Sequence, residues 1–213
     1  MLIVLAFSAI AAAAPAPALC VAPPPSSVAG DSTDLVAIWR DGVSFADFVG
    51  AMKDRKADWK QRSEWAVITD DMRARVRGIT GNFRVLAVTA EQCGDSMNTL
   101  PYFAALLDGA ANIEMRLVVY TRAKSVMEAH RTPDGRAATP TIVILDANDR
   151  LVGCYIERPA ALLAWTKTPK DSLPAGQRYN GRSGWYEANR GQASIGDLLA
   201  LLERAAKGEG ACP

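Results

Sequence analysis

Residues 84–96 of the chain, RVLAVTAEQCGDS, combine an apolar run with a cysteine motif. The part from Arg84 to Ala90 is short and rich in apolar and β-branched residues, which predicts a buried strand. Cys93 follows directly, and apolar residues then recur at helical spacing. These helical positions are Met97, Leu100, Phe103, Leu106 and Leu107. The segment therefore predicts a strand, a tight turn carrying a cysteine, and a helix.

The chain downstream continues this alternation of short strands and helices. The predicted elements are a strand at Ile113–Val119, a helix at Ala123–His130, strands at Thr141–Leu145 and Leu151–Ile156, and an amphipathic helix at Ser194–Ala206. The last two strands flank Asp146-Ala147-Asn148-Asp149, a turn sequence typical of a hairpin. The order β-α-β-α-β-β-α predicts an α/β sandwich, with parallel early strands and an antiparallel edge.

The N-terminal part predicts helices, and one later segment predicts none. Ser44 opens a helix with Asp47 three residues later, as in a capping box. The charged run Lys53–Arg62 is interpreted as the solvated continuation of this helix. Thr69 begins a second helix. The stretch Pro159–Gly184 is rich in Pro, Gly, Lys and Arg and is predicted to be irregular.

Composition excludes several classes of protein. The 213 residues carry 24 Lys+Arg and 23 Asp+Glu, a formal charge of +1, and 49% of them are apolar. Such a chain is globular, and it lacks the excess of cations that nucleic-acid binding needs, so no nucleic-acid partner is predicted. Its single histidine, His130, rules out a His-rich metal site, and we predict no metal. We expect His130 to be exposed at a helix end.

The first residues resemble an export signal. Met1–Ala14 is an apolar run, too short for the ~20 residues of a membrane span, and Ala16-Pro17-Ala18 fits a signal-peptidase site. No Lys or Arg precedes the run, which departs from the usual signal. We expect a periplasmic or secreted protein, or a cytoplasmic one if this segment is not a signal, and no stable membrane span.

The residues after the first strand predict a nucleophilic site. The amide groups at a helix N-terminus point at Cys93 and favour its thiolate. We expect Gly94 to permit the tight turn and the hydroxyl of Ser96 to donate a hydrogen bond to the sulfur. The carboxylate of Asp95 opposes the thiolate by repulsion.

These residues give the chain a resemblance to thioredoxin. The family has a strand, a C-x-x-C or C-x-x-S motif and a helix with proline eight residues after the cysteine, and here Pro101 follows Cys93. The resemblance implies that Thr139-Pro140 contains a cis proline facing the sulfur. It also implies a three-layer sandwich with a mixed sheet, helices on both faces and an N-terminal helical extension.

A wider resemblance is to a bacterial thioredoxin-like subfamily with a W-C-G-D-[SAC] active site. The matching segments are Cys93-Gly94-Asp95-Ser96, Gly135-Arg136-Ala137-Ala138-Thr139-Pro140, Arg158-Pro159 and Tyr186-Glu187-Ala188-Asn189-Arg190-Gly191. Two positions depart from the subfamily. Gln92 replaces the tryptophan before the cysteine, and Ser96 replaces the second cysteine of dithiol members.

The resemblance implies two functions. In the first, Cys93 exchanges disulfides with thiol- or disulfide-containing proteins, while Pro140 docks them. Ser96 cannot release the mixed disulfide, so an external thiol such as glutathione resolves it, and no resident cofactor is needed. In the second, the protein is a silent adaptor or folding factor that binds peptides beside Pro140. The oligomeric state is left open.

The other cysteines leave alternatives open. Cys154 lies within a predicted strand and is interpreted as a core residue. Cys212 lies in the tail, where it is a candidate remote resolving thiol or a redox-switch partner of Cys93. A structural disulfide among Cys20, Cys154 and Cys212 is also consistent with export, because four cysteines allow three complete pairings.

The predicted domain organisation follows from these boundaries. It comprises a signal peptide at 1–18, a linker at 19–43, a thioredoxin-like domain at 44–207 and a tail at 208–213. Within the domain, 44–82 is the helical extension and 83–206 the core.

Overall fold

The computed structural model describes residues 32–173, 175–210 and 212, and it is built around a mixed sheet. Its strands are β1 (Phe83–Thr89), β2 (Ile113–Val119), β3 (Thr141–Leu145) and β4 (Leu151–Ile156), in the order β2-β1-β3-β4. Strand β1 pairs parallel with β2 and antiparallel with β3, and β3 and β4 form an antiparallel hairpin. The predicted parallel pair and antiparallel edge are confirmed. The predicted signal peptide 1–18 and Cys20 lie outside the described residues.

Helices precede, separate and follow the strands. They are α1 (Ser32–Asp41), α2 (Phe45–Ala51), α3 (Lys56–Glu64), α4 (Asp70–Arg77), α5 (Gly94–Met97), α6 (Leu100–Leu107), α7 (Lys124–Ala129), α8 (Ala160–Thr166), α9 (Ala175–Asn189) and α10 (Gln192–Ala206). None of the helices in the described part of the chain is both long and apolar enough to cross a bilayer.

Both faces of the sheet are buried. Side chains alternate along a strand, so Val85 and Ala87 of β1 face one side while Leu86 and Val88 face the other. The first face packs against α2, α3, α4, α6 and α10, and the second against α1 and α7. Burial on both faces explains why β1 is a continuous apolar run. The α/β three-layer sandwich is confirmed.

The helical extension begins at Ser44 as predicted, but its charged run forms a separate helix. Ser44 caps α2, where its Oγ accepts a hydrogen bond from the Asp47 amide at 3.1 Å. The run Lys53–Arg62 does not continue this helix, because the chain turns at Arg55, whose φ is 57°. The new helix α3 places Trp59 fully inside the core. The interpretation of Lys53–Arg62 as a solvated continuation of α2 was therefore wrong. The sequence pattern did not indicate burial, because Trp59 is a single apolar residue among charged neighbours.

Part of the predicted linker 19–43 is helical. Residues 32–41 form α1, which buries Leu35, Ile38 and Trp39 against the second face of the sheet. The linker therefore does not extend over α1. These three residues recur at helical spacing. The prediction extended the linker over them because a Pro- and Ser-rich segment comes directly before.

The stretch Pro159–Gly184 is also not irregular. It contains α8 and most of α9, which is interrupted at Gly181 by a φ of 54°. Leu162 packs with Trp185 and Tyr186 in a separate buried cluster. Tertiary burial of these residues overrides the weak local preference of a Pro- and Gly-rich sequence.

Candidate functional site

Cys93 follows β1, an inner strand of the sheet, after a short turn and caps the short helix α5. Its backbone is extended, with φ −72° and ψ 117°, and its Sγ accepts a hydrogen bond from the Ser96 amide at 3.4 Å. The helix predicted after Cys93 is broken between α5 and α6. Pro101 has no amide hydrogen to donate to the Met97 carbonyl, which explains the break. Cys93 is partly buried and is the free cysteine of the described residues.

The Thr139–Pro140 segment faces Cys93. Its peptide bond is cis, as the resemblance implied. The Cys93 thiol donates a hydrogen bond to the Thr139 carbonyl oxygen, with 3.1 Å between sulfur and oxygen. The fold thus joins two segments that are 46 residues apart. The catalytic roles of Cys93 and Pro140 remain predictions.

Two neighbours of Cys93 act differently from the expectation. Ser96 contacts the sulfur through its backbone amide, whereas its buried hydroxyl has no hydrogen-bond partner within the described part of the chain. At Gly94, an added Cβ would meet no atom within 4 Å, and φ is not in the left-handed region. The turn therefore does not require the conformational freedom of glycine.

Asp95 is a buried carboxylate held by cations and a phenol. Its Oδ2 accepts hydrogen bonds from Nε and a terminal nitrogen of Arg158, each at 3.2 Å. Its Oδ1 accepts a hydrogen bond from the Tyr186 hydroxyl at 2.9 Å and lies 3.6 Å from Arg182. Burial and then the charge of Asp95 raise the pKa of Tyr186 far above its usual range, so the phenol stays a donor. Both oxygens of the Asp95 carboxylate therefore lie next to cations.

The partners of Asp95 lie far away in sequence. Arg158 and Tyr186 are 63 and 91 residues from it. Both belong to segments that carried the subfamily resemblance, Arg158-Pro159 and Tyr186–Gly191, although sequence reasoning gave them no role. The fold therefore brings residues of these two segments to one carboxylate close to Cys93.

The residues before Cys93 are held by the helical extension. The indole Nε1 of Trp59 donates a hydrogen bond to the Glu91 carbonyl at 3.0 Å. A terminal nitrogen of Arg55 donates to the Gln92 carbonyl at 3.4 Å. Sequence reasoning missed these two contributions to the site. The helical extension therefore covers the sheet and also holds the backbone of the two residues before Cys93 in place.

A groove of about 570 Å³ lies beside this segment, between α2 and the ends of β1 and β2. Tyr120 is among its exposed lining residues. The charged lining residues are Asp41, Lys53, Glu91 and Arg122, and Gln92, which precedes Cys93, also lines the groove. The lining of the groove therefore contains apolar side chains and both signs of charge.

Cys154 and Cys212 form a disulfide with 4.8 Å between their Cα atoms. This pair is one of those allowed by the expected structural disulfide, and Cys212 is not a free thiol in this form. The remote resolving role and the Cys93–Cys212 switch remain predictions. Cys154 is a core residue, as expected, but it is also cross-linked. The disulfide holds the tail against β4.

His130 lies at the end of α7, as expected, but it is partly buried beside this disulfide. Its Nδ1 is 3.6 Å from the Cys154 sulfur, and burial lowers the pKa of the imidazole. His130, Cys154 and Cys212 bring one potential metal-ligating atom each within 4.8 Å of one another. Metal binding by cysteine needs thiolates. Since both sulfurs are bonded to each other, this cluster does not hold a metal in the oxidised form.

Comparison with known proteins agrees with this geometry. A family model described as thioredoxin matches residues 42–171. The chain belongs to this thioredoxin family. No curated protein sequence matches the chain significantly.

Two solved structures share the thioredoxin-like fold. A protein of unknown function from Pseudomonas aeruginosa is 21% identical, with a TM-score of 0.65, over 80% of this chain and 97% of that one. An HIV epitope-scaffold protein is 20% identical, with a TM-score of 0.61, over 81% of this chain and 97% of that one. At these identities the likeness concerns the fold.

Proposed function

We propose that this thioredoxin-like protein performs thiol–disulfide exchange through Cys93. The observation that carries the proposal is the placement of one free thiol, on a partly buried residue that follows β1 and caps α5, 3.1 Å from the carbonyl oxygen of Thr139, the residue before Pro140. The amide of Ser96, 3.4 Å from this sulfur, provides a hydrogen-bond donor to it. The family match supports thiol chemistry at the same place.

The exchange begins with attack on a partner. The Cys93 thiolate attacks one sulfur of a disulfide, and a new S–S bond forms between them. The original S–S bond breaks, its electron pair stays on the leaving sulfur, and that thiolate takes a proton from water. The partner binds as an extended segment beside Pro140, in the manner of an added strand.

The mixed disulfide requires a second thiol to resolve it. Ser96 has a hydroxyl where a dithiol site has its second sulfur, so an external thiol of the glutathione class completes the cycle. If the substrate is a protein–glutathione disulfide, Cys93 takes the glutathionyl group and releases the protein thiol. A second glutathione then attacks that group, Cys93 leaves as thiolate, and glutathione disulfide is the product.

The test compares the wild type with Cys93→Ala in the glutathione-dependent reduction of a glutathionylated peptide. We expect turnover by the wild type and none above background by the variant. Equal rates would remove the proposal. Unchanged peptide affinity in Cys93→Ala would then favour the adaptor, in which the segment around Pro140 binds a peptide without reacting with it.

Ser96→Cys provides a matched gain-of-function control. Without external thiol, the wild type should accumulate the mixed disulfide, because Ser96 cannot release it. The Ser96→Cys variant should release the partner and form an internal disulfide between Cys93 and the thiol introduced at position 96, which intact-mass measurement detects. Equal accumulation in both proteins would contradict the assigned role of position 96.

We also propose that the protein acts in the periplasm or outside the cell. The disulfide between Cys154 and Cys212 supports this, because disulfides persist in oxidising compartments. The apolar segment Met1–Ala14 is consistent with export. Cell fractionation with N-terminal sequencing of the mature chain tests the proposal, and a cytoplasmic protein that retains Met1 would overturn it.

A further inference from the structure

A series of ion pairs connects the cysteine motif with the proline loop. Arg158 donates to Asp95 at 3.2 Å and, with the same terminal nitrogen, lies 2.9 Å from Glu157. Both terminal nitrogens of Arg136 donate to the Glu157 carboxylate, at 3.1 and 2.9 Å. Arg136 also pairs with Asp134 at 2.7 Å. We call these five residues the ion-pair series.

The ion-pair series spans both sides of the sulfur. Asp95 lies two residues after Cys93, whereas Arg136 lies in the loop that leads to Thr139 and Pro140. At the centre, the Glu157 amide donates a hydrogen bond to the Pro140 carbonyl at 2.8 Å. Glu157 thus contacts the proline segment through its backbone and the cysteine motif through Arg158.

Glu157 occupies a position that local preference does not favour. Its φ is 60°, in the left-handed region where a residue with a Cβ is uncommon. Its side chain is also buried, with an exposed fraction of 8%. Such a residue persists where surrounding contacts hold it in place, and these outliers cluster at functional sites. The contacts here are the two arginines and Pro140.

We propose that Glu157 and Arg158 are positioning residues of the thiol site, which align Cys93 with the Thr139–Pro140 segment and compensate the charge of Asp95. This inference rests on the proposed function and adds to it the residues that control the sulfur. Glu157 holds the Arg158 guanidinium against Asp95, and Arg158 offsets the carboxylate that would otherwise disfavour a thiolate two residues away.

Other charged groups surround the same site. Arg182 and Tyr186 from α9 also contact Asp95. Arg55, which precedes α3, binds the Gln92 carbonyl, and the carboxylate of Glu91 accepts a hydrogen bond from the backbone amide of Lys53. All of these remain in the variants described below, so a changed pH profile reports on the ion-pair series.

The first test measures alkylation of Cys93 by iodoacetamide as a function of pH. This readout reports the thiolate directly and does not depend on turnover. In Arg158→Gln, we expect the rate at neutral pH to fall about tenfold and the midpoint to move up by about one pH unit, since a neighbouring charge changes by one. Arg158→Lys keeps the charge and should recover most of the rate. An unchanged profile in Arg158→Gln overturns the proposal.

The second test separates positioning from charge alone. Removing the negative charge of Glu157 would by itself favour the thiolate and speed alkylation. Positioning predicts the opposite, because Glu157→Gln frees the Arg158 guanidinium from Asp95 and uncovers that carboxylate. Slower alkylation in Glu157→Gln therefore supports the proposal, and faster alkylation overturns it.

Arg75→Gln is the matched control. Arg75 also forms a two-bond ion pair, with Glu203 at 2.8 and 3.0 Å, but between α4 and α10. Its loss should leave the alkylation profile unchanged. If Glu157→Gln does not fold, Arg136→Gln removes the outer partner of the same carboxylate and should slow alkylation, and an unchanged rate there overturns the proposal. The variants of the ion-pair series could alkylate more slowly, as expected, while the wild type shows no turnover. That result would disprove the exchange function but not the positioning roles.

Discussion

The disulfide between Cys154 and Cys212 should contribute much of the stability of the fold. It connects residues 58 apart and closes a loop that contains α8, α9 and α10. In the chain-entropy model, a loop of this length lowers the entropy of the unfolded chain by about 14 cal/mol/K, or about 4 kcal/mol near 25 °C. The native tail also lies close to β4, where a Cβ on Gly210 would collide with the Val152 backbone.

The perturbation is Cys212→Ser, measured by urea unfolding without reductant. With a slope of about 2 kcal/mol/M for a domain of this size, the midpoint should fall by about 2 M. Adding dithiothreitol to the wild type should produce a shift of the same size. Cys93→Ser is the matched control, because it removes the free cysteine and leaves the cross-link intact.

Two outcomes would contradict this reasoning. If wild type and Cys212→Ser unfold at the same urea concentration, the tail is not cross-linked or the loop is already restricted in the unfolded chain. If Cys93→Ser shifts the midpoint as far as Cys212→Ser, the loss arises from cysteine substitution in general. Either result refutes loop closure as the source of stability.

Three further predictions concern single contacts. Burial lowers the pKa of His130 below its unfolded value of about 6.5, so the free energy of unfolding should be highest above that pH and should decrease as the pH falls. The urea midpoints at about pH 7.5 and 5.5 should therefore differ more in the wild type than in His130→Gln, and equal differences would refute this. Trp59→Phe removes the 3.0 Å hydrogen bond to the Glu91 carbonyl and should cost about 1 kcal/mol in urea unfolding, and no change would count against that contact. Tyr186→Phe removes a hydrogen bond to the Asp95 carboxylate and should cost about 2 kcal/mol in the same assay, whereas an Asp95→Asn background should show a smaller loss.

Local sequence determined the strands, several helix starts and the position of the cysteine. The strand pattern in β1 to β4 depends on side chains a few residues apart, so it is readable without tertiary contacts. Ser44 and Thr69 cap α2 and α4 because their hydroxyls bond to amides three residues away. Pro101 breaks the helix after Cys93 for an equally local reason, although the break itself was not predicted.

Helices whose burial depends on distant partners were missed. Helix α1 follows a Pro-rich segment, and α8 and α9 lie in a stretch rich in Pro and Gly. Their local preference is weak, and they are stabilised where Trp39, Leu162 and Tyr186 find apolar neighbours far along the chain. Burial of this kind is a property of the assembled sheet and helices.

The candidate site also combines features that the sequence predicts with contacts that form only in the folded chain. The sequence by itself placed Cys93 after a strand and, through resemblance, opposite Thr139–Pro140. Only the folded chain brings Arg158 and Tyr186 to Asp95 and pairs Cys154 with Cys212, across separations of 63, 91 and 58 residues. Ion pairs and disulfides form between atoms a few ångströms apart, and chain order does not specify which distant atoms meet.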